Sequence, residues 1–230
     1  MQLSEKASFD SIILAGGFGT RLSPLTDSIP KPLLPVNGEP AFIRNLRMLR
    51  KNGFVSTAVT TMYLPEKIEE ATFHRGYTEY FRESKPLGSA GAAAMLTDRL
   101  EETVLVVSGD AVWDYDLAEA KKQFEKSGCD AGIILCRKDD AGEYGSVCLY
   151  KGKITQFYEK PSVRDTLSDL INTGIYFLSK RAIKLIPTDK AVDFAHDLFP
   201  AMLKRGMTIA GIEPMGQCAN CFDIFLEDRF

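Results

Sequence analysis

The 230-residue chain is predicted to fold as an α/β domain with a mixed, mainly parallel central sheet. Short apolar runs alternate along the sequence with longer segments in which apolar residues recur at helical spacing. Continuous apolar runs are typical of strands buried on both faces, as in parallel sheets that are covered by helices. No internal repeat, linker or low-complexity segment divides the chain, so we expect one domain over residues 1–230.

The predicted strands are short runs rich in β-branched and other apolar residues. Residues 11–15 form the first strand and run directly into a glycine loop. Residues 103–108 form the clearest buried strand, which ends at Gly109 and Asp110. The other predicted strands cover residues 55–61, 77–82, 131–136, 145–150, 154–159 and 174–178.

The predicted helices lie between these strands. Residues 41–52 place apolar side chains at helical spacing, and Gly53 follows as a C-terminal stop. Residues 91–100 are rich in Ala and are expected to be helical. The other predicted helices cover residues 66–73, 117–127, 181–185 and 197–204.

Charge and composition exclude several classes of protein. The formal net charge of −3 argues against a broad nucleic-acid-binding surface. No stretch approaches the roughly 18 uninterrupted apolar residues of a membrane helix, and the N-terminus lacks the pattern of a signal peptide. The five cysteines are odd in number and scattered, which fits reduced thiols. We therefore expect a cytoplasmic protein with neither nucleic acid nor membrane as a partner.

The loop after the first strand predicts contact with phosphate. Residues 16–19 read Gly-Gly-Phe-Gly, and such a loop lets backbone N–H groups approach a phosphate without Cβ obstruction. The dinucleotide fingerprint fails at Leu22, and the Gly-Lys-Ser/Thr of a P-loop is absent from this loop. Arg21 offers a planar fork suited to phosphate oxygens, and Lys31, in a Pro-Lys-Pro tripeptide, offers a compact charge.

Residues 14–36 as a whole, LAGGFGTRLSPLTDSIPKPLLPV, closely resemble the signature LAGGxGTRLxPLTxxxPKPLxPV of the sugar-1-phosphate nucleotidyltransferases. The resemblance implies a nucleotide-diphospho-sugar transferase fold, a Rossmann-like three-layer α/β/α sandwich. It implies an enzyme that transfers NMP from an NTP to a sugar 1-phosphate and releases pyrophosphate. Arg21 and Lys31 are then catalytic, in contact with the leaving phosphates and the α-phosphate. The implied nucleotide contacts in this stretch are Leu14, Ala15, Gly16, Gly17, Gly19 and Thr20.

Two further segments match binding motifs of the same family. Residues 83–91, ESKPLGSAG, resemble the segment ExxPLGTAG that holds the nucleotide base, which implies nucleotide contacts by Glu83, Gly88 and Ser89. The order and spacing of several shorter matches imply a sugar-phosphate site, in which the Lys binds the sugar phosphate and the Glu accepts hydrogen bonds from sugar hydroxyls. The residues implied at this site are Gly145, Glu159, Lys160 and Asn172.

A magnesium site is expected at the end of the clearest strand. Ligands of parallel α/β sheets bind at the carboxyl ends of the strands, and Mg²⁺ prefers one or two carboxylates together with phosphate oxygens, so Asp110 is a predicted metal ligand. The resemblance of Cys221-Phe222-Asp223-Ile224-Phe225 to the family's WxDIG implies Asp223 as the second ligand. In that motif Cys221 replaces Trp and Phe225 replaces Gly.

Carboxylates and imidazoles near these motifs have simpler predicted roles. Asp114 and Asp116 are expected to cap the helix that starts near residue 117 rather than to bind metal. His74 and His196 are expected to be structural, because the attacking phosphate is already ionised at neutral pH and needs no general base.

The resemblance is closest to the mannose-1-phosphate guanylyltransferases, so GTP and mannose 1-phosphate are the expected substrates. It rests on residues 108–110, 143–145 and 192–200, the last reading VDFAHDLFP. Uridylyl, thymidylyl or guanylyl transfer to glucose, heptose or N-acetylmuramate 1-phosphate stays open. Two further alternatives also stay open, a non-catalytic nucleotide-sugar-binding regulatory subunit and an alcohol-phosphate cytidylyltransferase. Family members commonly carry a C-terminal β-helix or mutase extension, and we expect none in this chain. We also expect a monomer or small homo-oligomer.

Overall fold

A computed structural model describes residues 8–36, 38–72, 78–137, 146–158, 168–213 and 222–223, with Arg21, Tyr158, Phe222 and Asp223 described by backbone alone. The strands among these residues are β1 (Phe9–Ala15), β2 (Pro35–Val36), β3 (Glu39–Pro40), β4 (Thr57–Thr61), β5 (Thr78–Arg82), β6 (Leu100–Ser108), β7 (Ala111–Val112), β8 (Ala131–Arg137), β9 (Ser146–Tyr150), β10 (Lys153–Tyr158), β11 (Leu170–Ser179), β12 (Ile209–Ile212) and β13 (Phe222–Asp223).

Nine of these strands form one mixed sheet in the order β5-β4-β1-β6-β11-β8-β12-β10-β9. The first four strands are parallel to one another, so their carboxyl ends meet at one edge of the sheet. Strand β11 runs antiparallel to both β6 and β8, and β12 returns parallel to β8. Two short ribbons, β2-β3 and β7-β13, lie outside this sheet. The predicted α/β class with a mixed sheet is therefore confirmed.

Helices cover both faces of the sheet and create two separate cores. The helices are α1 (Ala41–Lys51), α2 (Pro65–Thr72), α3 (Gly88–Ala94), α4 (Leu117–Ser127), α5 (Lys180–Ile183) and α6 (Phe199–Lys204), with a π-helical turn at Phe194–Leu198 before α6. Buried residues of α1, α2 and α4 pack on one face, and those of α3, α5 and α6 on the other. This is the predicted three-layer arrangement.

The helix predicted for residues 91–100 is wrong at both ends. Helix α3 begins at Gly88 and ends at Ala94, and a 3-10 turn at Thr97–Arg99 leads into β6. Leu100 belongs to β6, where it lies opposite Phe9 of β1 and is buried in the core on the α3 face. Tertiary packing of this apolar side chain therefore overrides the helical propensity of the segment.

The thiol and membrane expectations have different outcomes. Cys129 and Cys148 are free thiols, but Cys136 is disulfide-bonded, so the expectation that all thiols are reduced is wrong. Across the part of the chain that the structure describes, no helix has the length and apolar character needed to cross a membrane.

Of the two carboxylates expected to cap α4, Asp116 does so by accepting the N–H of Glu119 at 2.9 Å.

Asn45 of α1 connects the helix layer to the turn that follows β6. Its side chain is completely buried, and Nδ2 donates to the carbonyl oxygens of Ser108 at 3.1 Å and Ala111 at 2.8 Å. These carbonyls flank the turn at Gly109 and Asp110. Because a buried amide that bridges two segments restricts both, Asn45 fixes the end of β6 relative to α1.

Replacement of Asn45 by Leu should lower the free energy of unfolding by about 2 kcal/mol, because two buried carbonyl groups lose their donor while the number and branching of the side-chain heavy atoms are kept. Urea denaturation measures the change. Arg47→Leu in the same helix is the control, since Arg47 is exposed and forms a surface ion pair with Glu39. Equal stability of Asn45→Leu and the wild-type chain would show that the bridge is not stabilising.

Candidate active site

A cavity of about 340 Å³ opens at the carboxyl ends of the parallel strands β1, β4 and β6. Side chains and backbone from the glycine loop, from the ends of these strands and from α3 contribute to its wall. The lining residues are Leu14, Ala15, Gly16, Gly17, Phe18, Lys31, Pro32, Thr60, Met62, Glu83, Pro86, Gly88, Ser89, Ala92, Ser108 and Asp110. Its position is where open α/β sheets bind their ligands.

The glycine loop turns sharply beside the cavity. Gly19 has a left-handed backbone with φ of 64°, and its carbonyl accepts the Thr26 hydroxyl at 2.9 Å. A Cβ atom at this position would lie 3.0 Å from Thr26 and 3.1 Å from Lys31. Gly19 is therefore required both by its conformation and by its crowded surroundings. The backbone of the loop at Gly16 and Gly17 consequently lies against the cavity.

Lys31 and Asp110 form an ion pair inside the cavity wall. Lys31 is only 5% exposed, and its Nζ contacts the carboxylate of Asp110, whose side chain is 25% exposed. The Ser108 hydroxyl donates to the other oxygen of Asp110. A buried ammonium requires a counter-charge or hydrogen bonds to be stable, and Asp110 supplies the charge. The pair places one cation and one carboxylate next to each other at the end of β6.

Glu83 lies directly after β5 at the opposite end of the cavity from this ion pair. Its backbone N–H donates to the carbonyl of Thr61 at 2.7 Å, which aligns it with the end of β4. Its Oε2 accepts the N–H of Leu87 at 3.3 Å. Desolvation raises the pKa of the Glu83 carboxyl above its ordinary value, and the Leu87 bond only partly offsets this increase. An uncompensated carboxylate here is therefore suited to a ligand that donates hydrogen bonds.

Close backbone packing positions the start of α3 against the cavity. Gly88 has φ of 74°, and a Cβ atom on it would lie 2.5 Å from the carbonyl oxygen of Val192. The same carbonyl accepts the N–H of Ala90 at 2.9 Å. The Ser89 hydroxyl donates to Asp193 at 2.7 Å, and Asp193 also accepts two N–H groups of the following π-helical turn. Ser89 thus joins α3 to this turn in addition to lining the cavity.

The two predicted metal ligands come from neighbouring backbone positions. Strand β13 pairs with β7 so that Asp223 is opposite Ala111, the residue after Asp110. Directly opposite residues in an antiparallel pair have Cα atoms about 4.5–5.5 Å apart. Within the described residues there is no cluster of three or more His, Cys, Asp or Glu side chains that could hold a metal.

Asn172 has a structural role in β11. Its Oδ1 accepts the N–H of Gly174 at 3.0 Å, and its Nδ2 donates to the hydroxyl of Tyr176 at 3.0 Å. Gly174 is left-handed, and the register between β11 and β8 shifts between Asn172 and Tyr176. The Asn-Thr-Gly segment therefore forms a turn within the strand. Because β11 is antiparallel to β6, its start lies at the same edge of the sheet as Asp110.

The structure brings most of the predicted nucleotide contacts together. Those that line the cavity are Leu14, Ala15, Gly16, Gly17, Glu83, Gly88 and Ser89, and they are joined there by the predicted catalytic Lys31 and the predicted metal ligand Asp110. Gly19, Thr20 and Asn172 do not contribute to its wall. Of Arg21 and Asp223 the backbone alone is described. The predicted sugar-phosphate residues Gly145, Glu159 and Lys160 lie outside the described residues, as does His74.

Several residues of the cavity wall were not predicted from the sequence. Thr60 and Met62 come from the end of β4, and Phe18, half exposed, contacts the ring of Tyr63 with centroids 5.5 Å apart. The carboxyl end of β4 could have been included from topology, because neighbouring parallel strands end at the same edge. Pairing of β4 with β1, however, depends on the tertiary fold, and no local motif marks it.

Replacement of Gly88 by Ala should destabilise the fold by about 3 kcal/mol or more, because left-handed strain is added to a clash with backbone. Gly152→Ala is the matched control, since Gly152 has the same φ of 74° but no atom within 4 Å of its added Cβ. The control should lose about 1–2 kcal/mol. Thermal or urea unfolding of both variants measures the difference, and equal losses would contradict the close packing against Val192.

Comparison with known proteins gives relatives with different substrates. UTP–glucose-1-phosphate uridylyltransferase of Synechocystis sp. is 34% identical over 86% of this chain and 56% of its own length. Mannose-1-phosphate guanylyltransferase of Mycobacterium tuberculosis is 33% identical over the same shares. The chain thus spans little more than half the length of these curated relatives.

Solved structures and a family comparison give the same result. The crystal structure of HddC from Yersinia pseudotuberculosis in complex with GMP-PN has a TM-score of 0.74 and 27% identity, covering 89% of this chain and 90% of that one. The family described as Nucleotidyl transferase matches residues 10–216, a span that contains the glycine loop, Lys31, Glu83 and Asp110. The chain therefore belongs to the nucleotidyl transferase family.

Proposed function

We propose that the chain is an enzyme that transfers NMP from an NTP to a sugar 1-phosphate and releases pyrophosphate. The observation that carries the proposal is the cavity in which the buried Lys31–Asp110 pair lies beside the glycine loop, with Glu83 at the other end. The named relatives from Synechocystis and Mycobacterium act on sugar 1-phosphates, which supports this substrate class.

The proposed reaction is a direct displacement at the α-phosphorus. An oxygen of the sugar 1-phosphate forms the new P–O bond, the bond to the bridging oxygen of the β-phosphate breaks, and pyrophosphate leaves with the electron pair. Both reactants are polyanions, so positioning and charge stabilisation dominate the catalysis. Lys31 would stabilise negative charge near the α-phosphate, and Arg21 the leaving phosphates. Lys160 would align the attacking sugar phosphate.

The residues present fit a divalent cation, and we propose Mg²⁺. Asp110 offers a partly exposed carboxylate to the cavity, and the backbone pairing of β13 with β7 supports a second carboxylate from Asp223. Mg²⁺ commonly takes one or two carboxylates and completes its shell with phosphate oxygens and waters. When bound, the cation would neutralise phosphate charge. Asp110 would then be shared between the cation and Lys31.

We further propose that the nucleotide is GTP. The two named relatives use different nucleotides at nearly the same identity, so identity alone does not select the base. An ionised carboxylate can only accept hydrogen bonds, and guanine offers two adjacent donors, N1–H and N2–H₂. Uracil and thymine instead offer a donor between two acceptors. The desolvated Glu83 carboxylate therefore favours guanine, and the guanine nucleotide analogue bound to HddC is consistent with this.

Mannose 1-phosphate is the sugar phosphate that we propose, supported by the guanylyltransferase from Mycobacterium tuberculosis. We also propose a cytoplasmic location, where nucleoside triphosphates and sugar phosphates are available together. We further propose that the chain acts as a monomer or small homo-oligomer.

Pyrophosphate release should occur with one preferred pair among four NTPs and mannose, glucose, heptose and N-acetylhexosamine 1-phosphates, and GTP with mannose 1-phosphate should be fastest. EDTA should abolish release, and excess Mg²⁺ should restore it. Asp110→Asn should reduce turnover at least 100-fold, because the carboxylate beside the buried Lys31 becomes neutral. Binding of NTP without any pyrophosphate release would instead indicate a regulatory subunit, and full turnover by Asp110→Asn would exclude its metal role.

Replacement of Glu83 by Gln should change the nucleotide preference from GTP towards UTP or dTTP, because an amide offers one donor and one acceptor. The ratio of kcat/KM for GTP to that for UTP should fall at least tenfold. In the wild-type chain, KM for GTP should rise as the pH falls through the raised pKa of Glu83, since protonation removes an acceptor.

The Glu83→Gln variant is also a control for the pH dependence of KM and for the stability of the fold. Ionisation of Glu83 is disfavoured in the folded chain, so it opposes folding above the ordinary pKa of the carboxyl. Gln removes this cost, and the ligand-free variant should be at least as stable as the wild-type chain at pH 7. The part of the pH dependence of KM that comes from ionisation of Glu83 should be absent from the variant. An unchanged preference for GTP in Glu83→Gln would show that Glu83 does not select the base.

A further inference from the structure

The floor of the cavity contains a threonine hydroxyl whose hydrogen bonding the structure does not otherwise explain. Thr60 of β4 is completely buried and lines the cavity. Its Oγ1 has no hydrogen-bond partner among the residues that the structure describes. Buried polar side chains are hydrogen-bonded in the large majority of cases, so an isolated hydroxyl beside a ligand cavity indicates a contact that the ligand completes.

The neighbours of Thr60 in the sheet cannot satisfy its hydroxyl. Thr60 is opposite Leu14 of β1 and Phe81 of β5, and both of these side chains pack in the core on the same face. Ala92 of α3, which also lines the cavity, adds a further apolar group on this face. The next position along this row of the sheet is Ser108, whose hydroxyl donates to Asp110. The strand neighbours of Thr60 therefore offer its hydroxyl no hydrogen-bond partner, and Thr60 also lines the cavity.

Thr60 differs from the other buried hydroxyls that have no hydrogen-bond partner. Four hydroxyls are buried without a partner in the described ranges, those of Thr60, Thr61, Thr78 and Ser146. Of these, only Thr60 contributes to the cavity wall. Thr61 is adjacent in sequence, but side chains alternate along a strand, so it points to the opposite face of the sheet. Thr61 thus has the same burial and the same unpartnered hydroxyl without access to the cavity.

The position of Thr60 identifies the part of a nucleotide that it would meet. Lys31 and Asp110 carry the charges of the cavity at the end of β6, and Thr60 lies two strands away on β4. At about 4.8 Å per strand, this separation is roughly 10 Å. Phosphates held at Lys31 would therefore place the base, and not the phosphates, above Thr60. Glu83, which follows the next strand β5, is on the same side of the cavity.

We infer that Thr60 is a base-reading residue, whose hydroxyl forms a hydrogen bond with the edge of the nucleobase that faces the sheet. The inference rests on the proposed nucleotidyl transfer and adds to it a contact from the sheet itself. A neutral hydroxyl can donate to a ring carbonyl or ring nitrogen and can accept from an exocyclic amine. Thr60 would thus complete the recognition of the base from below, while Glu83 contacts it from the side.

Thr60→Val tests the inference, because it removes the hydroxyl and keeps the shape of the side chain. Calorimetric titration of the full chain with GTP and Mg²⁺ should give a Kd about tenfold higher than for the wild-type chain. Thr60→Ser keeps a hydroxyl and should stay within twofold of the wild-type Kd. The ligand-free melting temperature of Thr60→Val should not fall, since no hydrogen bond is lost.

Thr61→Val is the matched control, and its Kd for GTP should stay within twofold of the wild-type value. Inorganic tripolyphosphate, which has no base, should bind equally to the wild-type chain and to Thr60→Val. A wild-type Kd for GTP in Thr60→Val would overturn the inference, as would equal weakening by Thr61→Val or of tripolyphosphate binding. If the wild-type chain binds no NTP, the proposed function itself fails. If the wild-type chain binds NTP and Thr60→Val binds it with the same Kd, only the proposed role of Thr60 fails.

Discussion

The ion pair between Lys31 and Asp110 joins the two parts of the chain from which the site is built. Lys31 belongs to a 3-10 turn in the long segment after the glycine loop, whereas Asp110 follows β6, the strand next to β1. An ammonium that is 5% exposed is stable only beside a counter-charge, so the segment can pack here only if the end of β6 is in place. Asn45, which donates to carbonyls on both sides of Asp110, holds that end from α1. The charge that the proposed chemistry uses is therefore also a condition of the fold.

Two glycines allow the backbone to come close enough for this arrangement. At Gly109 a Cβ atom would lie 2.9 Å from the carbonyl oxygen of Leu14, the same carbonyl that accepts the N–H of Gly109 at 2.8 Å. At Gly16 a Cβ atom would lie 2.6 Å from Oε1 of Glu83. The first close contact brings the ends of β1 and β6 together, and the second gives the Glu83 carboxylate its place beside the loop. Close approach, rather than turn geometry, explains glycine at both positions.

The parts of the fold and site that the sequence predicted are those with a local signal. The apolar run of β6 and the helical spacing of α1 identify those elements. The glycine loop and Lys31 were predicted to contact phosphate, and residues of this segment line the cavity. Glu83 entered the prediction by motif resemblance, yet its raised pKa follows from burial that no local pattern shows. Strand β12 was missed because its four residues, one of them glycine, become a strand only through pairing with β8. Thr60 was missed for a related reason, since its exposure to a cavity depends on which strands are neighbours.

The distribution of polar groups along the cavity explains how one site can be both general and selective. The end at β6 has a cation and a carboxylate, which in the proposed function would bind phosphate and a divalent cation whatever the base. The end at β4 and β5 has a desolvated carboxylate and a neutral hydroxyl, groups too weak to hold a polyanion but able to distinguish hydrogen-bond patterns. Small or apolar residues such as Ala92 and Gly17 also line the cavity. Under the proposed function, relatives with different nucleotides would share the phosphate end of this fold and would differ at the β4 and β5 end.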